Sequence, residues 1–215
     1  MKQIKLILVF LLFYTFGYSQ QPLKMRGNAS GLFSLGMRST LSLFNNHNWN
    51  SVGIGTGGQF RLQFFDQVNS EWYLDYTTND IEGKAHRDDM HIGWSVFFYP
   101  VPGNIDFSKV VKPFIETGHC FDFSWLAENQ NPQNKMFNFT SAIQLGLGTH
   151  FNLTQRFDLT LKTQYMMHLG GDLHAHLEGD EVHIERHKGF SAEGHLFITV
   201  SANYKIADLW GKRNK

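Results

Sequence analysis

Period-two alternation of apolar and polar residues recurs along almost the whole chain, and no other feature restricts its fold as strongly. In "QLGLGTHFNLTQRFDLTLKTQY" the bulky set Leu145, Leu147, Thr149 and Phe151 is followed, after a short polar break, by Phe157, Leu159, Leu161, Thr163 and Tyr165. Between them stand Gln144, Gly146, Gly148 and His150, then Asp158, Thr160, Lys162 and Gln164. A repeat of two places successive side chains on opposite faces, which is the signature of strands with one greasy and one polar face. The same pattern sets Phe33, Leu35, Met37, Leu41 and Leu43 against Ser34, Gly36, Arg38, Thr40 and Ser42. It sets Val52, Ile54, Phe60, Leu62 and Phe64 against Gly53, Gly55, Gly57, Gln59, Arg61 and Gln63.

Further strands are expected over 71–78 and 90–99, where Trp72, Leu74, Tyr76, Met90, Ile92, Trp94, Val96 and Phe98 form the apolar face. Glu71, Tyr73, Asp75, Thr77, His91, Gly93, Ser95, Phe97 and Tyr99 stand opposite them. In 110–123 the polar set is Lys112, Glu116, Gly118, Cys120 and Asp122; strands six and seven run from Phe137 to Phe151 and Phe157 to His168. The eighth ends at Tyr204, with Leu196, Ile198, Val200 and Ala202 against His195, Thr199, Ser201 and Asn203. These make eight strands in a meander. Connections two and six, "DQVNS" and "NLTQR", are tight, and the fourth is "PVPGNIDFSK". On the other side lie "NNHNWN", "NDIEGKAHRD", "SWLAENQNPQNK" and "GGDLHAHLEGDEVHIERHKG", read as loops, three of them long and polar.

The first 20 residues, "MKQIKLILVFLLFYTFGYSQ", join Lys2 and Lys5 to an apolar run and a small or polar end, the layout of a secretory signal peptide. Residues 21–215 are then one domain. Without the leader, 17 basic and 19 acidic residues remain of the 19 and 19 in the whole chain, so no basic excess points to nucleic acid. Cys120 is the single cysteine, so no intrachain disulfide is possible.

Alternation alone fits both a soluble barrel, apolar inside, and a membrane barrel, apolar outside. The polar face decides for the membrane: it is mostly Gly, Ser, Thr, Gln and Asn with scattered charges, the composition of a crowded interior. The apolar face is nearly free of charge, as lipid contact requires, because a lipid-facing Arg or Lys at the midplane costs about 2–4 kcal/mol. Trp72, Tyr76, Trp94, Phe98 and Tyr165 on that face suit aromatic girdles. Only a closed barrel carries strands across lipid with every backbone group paired. The expected fold is all-β, an eight-stranded antiparallel up-and-down transmembrane β-barrel.

The segments "PFIETGHCF", "IQLGLGTHFNLTQRFDLTLKTQY" and "HLFITVSANYKI" resemble strand patterns of the small outer-membrane β-barrels of Gram-negative bacteria, the OmpA/OmpX-like superfamily. The resemblance spans nearly the whole mature chain. It implies an outer-membrane location, periplasmic termini, extracellular long loops, a monomer in contact with outer-membrane lipid, and a structural or surface-interaction role with an extracellular or envelope protein partner. It implies no catalysis and no cofactor. One departure is the charged tail that follows Tyr204 and ends in Lys215.

An eight-stranded barrel is just wide enough for side chains to fill it. Arg38, Arg61, Asp75, Glu116, Asp158 and Lys162 are therefore expected to pair across the lumen, since buried charges need partners. The lumenal Gly53, Gly55, Gly57, Gly146 and Gly148 leave room for larger side chains opposite, and a conducting pore is disfavoured at this strand number.

Histidine is the compositional oddity. His168, His174, His176, His183 and His187 crowd the last connection, and His86, His91, His119 and His195 are expected toward the same mouth. Imidazoles suit Zn, Cu or Ni, so His174, His176, His183 and His187 in the loop 169–189 form a candidate metal site, with His174-x-His176 as a chelating pair. A plain solvated loop fits the same residues, since no strict zinc pattern is present. The polar mouth also admits a lipid-modifying enzyme, and the alternation admits a soluble periplasmic ligand-binding barrel. The enzyme would use a rim site of His91, Asp75, His168 and His195, although the His-x-Ser of lipid A deacylases is absent.

Overall fold

The computed structural model describes residues 30–46, 49–100, 110–171, 173–178, 181–186 and 194–210. The candidate signal peptide and the end of the charged tail lie outside them. Among the described residues ten strands follow one another: β1 Leu32–Asn46, β2 Trp49–Phe65, β3 Val68–Ile81, β4 Ala85–Phe98, β5 Val111–Glu128, β6 Lys135–Asn152, β7 Phe157–His168, β8 Leu173–Glu178, β9 Glu181–Arg186 and β10 Gly194–Asp208. Eight of these close a barrel in the order β1-β10-β7-β6-β5-β4-β3-β2, and β8 and β9 form a separate hairpin. Every neighbouring pair in the barrel is antiparallel, including the closing pair β1 with β10, so no barrel edge is left unpaired.

Burial follows the period of two and inverts the usual order. Leu145 is 70% exposed, Leu147 65% and Met37 73%, whereas Glu71, Asp122 and Ser95 are wholly buried. The greasy face points out and the polar face in, the arrangement that hydrocarbon demands and a water-soluble barrel reverses. On the outer surface Phe60 stacks on Trp72 at 5.0 Å near the tight-turn end. Trp125 meets Phe137 at 5.3 Å, and Phe123 meets Phe139 at 4.9 Å, near the opposite end. Aromatic pairs thus lie toward both ends of the outer face, where membrane interfaces favour them.

Two expected loops are barrel wall instead. The third connection shrinks from "NDIEGKAHRD" to the turn Glu82-Gly83-Lys84, and the fifth from "SWLAENQNPQNK" to 129–134. Their residues still alternate: Asn79, Arg87 and Ser124 are buried while Asp80, His86 and Trp125 are exposed. A strand needs only about 9–11 residues to cross the hydrocarbon, and β5 and β6 have 18 each. The excess projects past the lipid, where an outward-facing charge stays hydrated. The turn itself is set by Glu82 at φ 52° and Gly83 at φ 71°, left-handed conformations that glycine adopts without penalty.

The seventh connection also differs from a simple loop, because it contains β8 and β9. The eighth barrel strand is thus β10, and it runs past Tyr204 to Asp208. The lumenal glycines make room as expected. A Cβ on Gly57 would meet the Asp75 side chain, one on Gly146 would meet Glu116, and one on Gly148 would meet Phe114 and Lys162. At Gly93 the occupant is the Tyr73 ring, with which any side chain would collide.

Candidate functional site

Lumenal side chains are stacked in layers from the tight-turn end to the hairpin end. The first layer is aromatic. Phe97 stacks on Phe114 at 4.5 Å, Phe114 stacks on His150 at 4.6 Å, and Tyr99 closes the group edge-on. His150 is fixed by two hydroxyls, Thr160 at 2.7 Å from Nδ1 and Tyr99 at 3.0 Å from Nε2.

The second layer is ionic and centres on Glu71. Its carboxylate accepts from Arg38 Nη1 at 3.2 Å, Arg61 Nε at 3.0 Å and Lys162 Nζ at 3.0 Å. Around this hub Arg38 reaches Asp75 at 3.0 Å, Lys162 reaches Glu116 at 2.9 Å, and Arg61 reaches Asp158 at 3.1 Å. Lys205 joins Asp158 at 3.3 Å. Arg38, Arg61, Lys162 and Lys205 thus balance Glu71, Asp75, Glu116 and Asp158. All six residues expected to pair across the lumen do so. Sequence reasoning missed two members: Glu71, whose parity places it on the polar face without revealing its role as hub, and Lys205, which lies beyond the expected end of the last strand.

Above the ions, the Tyr73 hydroxyl and the Gln144 side chain bond to each other (2.7 Å from Oη to Oε1), and Gln164 donates to the same Gln144 oxygen at 2.9 Å. Cys120, Ala142, Met166 and Phe197 pack beside them as a small apolar core inside the lumen.

The fourth layer gathers histidine from three strands around one carboxylate. His168 Nε2 lies 2.9 Å from Asp122 Oδ2, and His91 Nε2 lies 3.4 Å from Asp122 Oδ1. The His168 and His195 rings meet edge-on at 4.9 Å, and Phe197 sits between His91 and His195 with centroids at 5.3 and 5.9 Å. Three members of the suggested rim group, His91, His168 and His195, therefore come together. The fourth, Asp75, stands opposite His91 in the β3–β4 register, but its carboxylate pairs with Arg38, and the carboxylate that the imidazoles meet is Asp122. Ser124 is present too, but its hydroxyl donates to Asp122 at 3.2 Å. A serine nucleophile must hand its proton to a basic imidazole, so this arrangement does not activate Ser124.

A roof covers the layer. Leu173 and Ala175 of β8 and Val182 of β9 pack onto Ile81, Ala85 and Leu126 of the barrel wall, with Met136 and Ile184 at the margin. Arg87 Nη1 donates to the Leu173 carbonyl at 3.2 Å, Asn138 Nδ2 to the Gly171 carbonyl at 2.6 Å, and Asn134 Nδ2 to the Val182 carbonyl at 2.9 Å. Sequence alternation within "LHAHLE" is the signal that could have disclosed this hairpin.

Of the candidate metal ligands, His174 and His176 stand in β8 and His183 in β9, and the register sets His176 directly opposite His183 and His174 opposite Glu185. His187 lies outside the described residues. Among the described residues no group of three His, Cys, Asp or Glu is spaced to hold a metal ion. His86 is at the expected mouth, 2.9 Å from Asn129. His119 is not: it sits mid-strand on the outer face, against Phe121 at 4.8 Å and Trp94 at 6.5 Å. β5 runs on to Glu128, which leaves His119 midway along it, and odd positions of β5 face outward from Val111 to Trp125.

No protein-family model and no curated protein sequence matches this chain. Solved structures do match in shape. Neisserial surface protein A superposes with a TM-score of 0.56 at 11% identity, covering 81% of this chain and 97% of that one. OprG from Pseudomonas aeruginosa gives 0.57 at 13% identity, covering 84% and 98%. Ail of Yersinia pestis, in complex with a heparin analogue, gives 0.51 at 11% identity, covering 82% and 99%. Closed topology, an apolar outer face, a polar lumen and these likenesses together give the chain the fold of the small eight-stranded outer-membrane β-barrels.

Proposed function

We propose that this protein is an integral, non-catalytic component of the outer membrane that presents its hairpin end to the exterior for envelope stability or contact with a partner. The observation that carries this reading is the filled lumen. A charge-balanced ion layer, an aromatic layer and an apolar roof occupy the interior from end to end, so solute passage is disfavoured and the surface left for recognition is the projecting wall and the hairpin. Strand parity and the expected export signal support this orientation. Eight barrel strands bring both termini to the tight-turn end, and an exported N-terminus makes that end periplasmic.

Epitope insertion tests this directly. A tag placed after Gly83, in the exposed β3–β4 turn, is expected to be detected by antibody on intact cells. The same tag placed after Thr154, in the β6–β7 turn, is expected to be detected only after the outer membrane is permeabilised. The reverse pattern would overturn the orientation, and detection of neither tag in the outer-membrane fraction would overturn the assignment to that membrane.

A further inference from the structure

We propose that the β8–β9 hairpin carries, on the face opposite its contact with the barrel, a binding site for a transition-metal dication of the Zn2+ class. His174, His176 and His183 are its nitrogen ligands and Glu185 its carboxylate. The site rests neither on the orientation nor on the partner proposed above.

Parity divides the hairpin into two faces. Leu173 and Ala175 of β8 and Val182 and Ile184 of β9 share the face that packs onto Ile81, Ala85, Leu126 and Met136 of the wall. The other face is formed by positions 174, 176 and 178 of β8 and 181, 183 and 185 of β9, which are His, His, Glu, Glu, His and Glu. Every position on it is a residue type that ligates metals. Arg186, the only Lys or Arg in the two strands, has the opposite parity and donates to the Phe137 carbonyl at 2.6 Å.

Pairing then sets the spacing. His176 stands directly opposite His183, and His174 directly opposite Glu185; the Cβ atoms of such pairs lie about 4.5–5.5 Å apart. His174 and His176 are two residues apart on one strand, about 6.8 Å, and His174 lies on the diagonal from His183, at about 7–8 Å. The three histidine positions form a small triangle, whose sides two imidazoles and two bonds of about 2.0–2.1 Å can span. These spacings belong to the backbone, and they bring the positions together although no three ligand side chains are already grouped among the described residues. Glu185 enters the set through this register alone, since its separation from His174 in sequence conceals that they are neighbours.

Ligand chemistry selects the class of ion. Ca2+ and Mg2+ take oxygen ligands, whereas imidazole suits Zn2+, Cu2+ and Ni2+. Three imidazoles and one carboxylate make the four donors of a tetrahedral zinc site. Glu178 and Glu181 stand directly opposite each other at the end of the same face, a like-charge pair that a nearby dication relieves. The two strands pair only with each other, so an ion bonded to both adds a cross-link where the backbone supplies a single ladder.

Calorimetric titration of the full protein, folded in detergent micelles and carrying no polyhistidine tag, tests the site with Zn2+ as the probe. One ion per chain is expected to bind with a Kd of about 1 µM or tighter, and excess Ca2+ is expected not to displace it. The double variant His176→Gln, His183→Gln is expected to bind about a hundredfold more weakly, while His86→Gln, at the same mouth but on the barrel wall, binds as the wild type does. Hydrogen exchange gives a reading that needs no variant. Zn2+ is expected to raise the protection of amides 173–178 and 181–186 by about tenfold, and EDTA to reverse the gain, while amides of β5 and β6 keep theirs. Absence of saturable binding below about 100 µM, displacement by Ca2+, wild-type affinity in the double variant, or Zn2+-dependent protection that misses the hairpin would each overturn the proposal.

Discussion

Replacing Glu71 with alanine is expected to destabilise the barrel by about 3–5 kcal/mol, the range for removing one partner from a buried ion pair. Glu71 binds Arg38, Arg61 and Lys162 at once, and its side chain is 1% exposed. Without it the ion layer holds four cations and three carboxylates, and water has no ready access to the surplus. Glu116 and Asp158 already serve Lys162 and Arg61, and Asp75 serves Arg38, so none is free to replace the hub. Urea unfolding in detergent micelles checks this, with the Glu71→Gln variant separating loss of charge from loss of volume. A change under about 1 kcal/mol in both variants, well short of the buried-pair range, would mean that the network does not hold the strands together.

The second large effect concerns the opposite face. Leu145 lies midway along β6, between Phe139 and Phe151, and is 70% exposed. For a residue so exposed in a water-soluble protein, substitution normally changes stability by less than about 0.5 kcal/mol. In a membrane barrel Leu145→Arg places a guanidinium near the bilayer midplane and is expected to cost about 2–4 kcal/mol. Folding titrations in phospholipid vesicles distinguish the two values. A lumenal substitution is not an equivalent control, because it alters packing; Leu145→Ala, which keeps the face apolar, is.

Fold and candidate site were legible to different depths, and the boundary between them is register. Alternation from Leu145 to Tyr165 discloses strands and faces without any knowledge of pairing, because side-chain direction depends on parity alone. The six charged residues expected to pair across the lumen are therefore identifiable, yet who pairs with whom depends on the stagger of the strands. That stagger is fixed by turns such as Glu82-Gly83-Lys84, which looks longer in sequence than it is because Asn79, Asp80, Arg87 and Asp88 read as loop chemistry. That turn sets His91 opposite Asp75 across β3 and β4, and the separate β4–β5 pairing sets it opposite Asp122, which it contacts while Asp75 is taken by Arg38. The hairpin is hidden by a similar cause: its histidines and acids outweigh the alternation of Leu173, Ala175 and Leu177 in a segment only six residues long. His119 departs from the expected mouth because β5 extends to Glu128, well past the end at Phe123 that alternation suggests, and so leaves His119 midway along the strand.

The central claim is that these strands form a closed barrel whose apolar face meets lipid. Electrophoresis of the outer-membrane fraction, unboiled against boiled in SDS, tests it most directly, because a fully paired barrel with no open edge resists the detergent until heat breaks it. A band in that fraction whose migration shifts on boiling is the expected result. Recovery of the protein in the soluble periplasm, with one mobility whether heated or not, would contradict the claim and would make Leu145 and Leu159 residues of an apolar core.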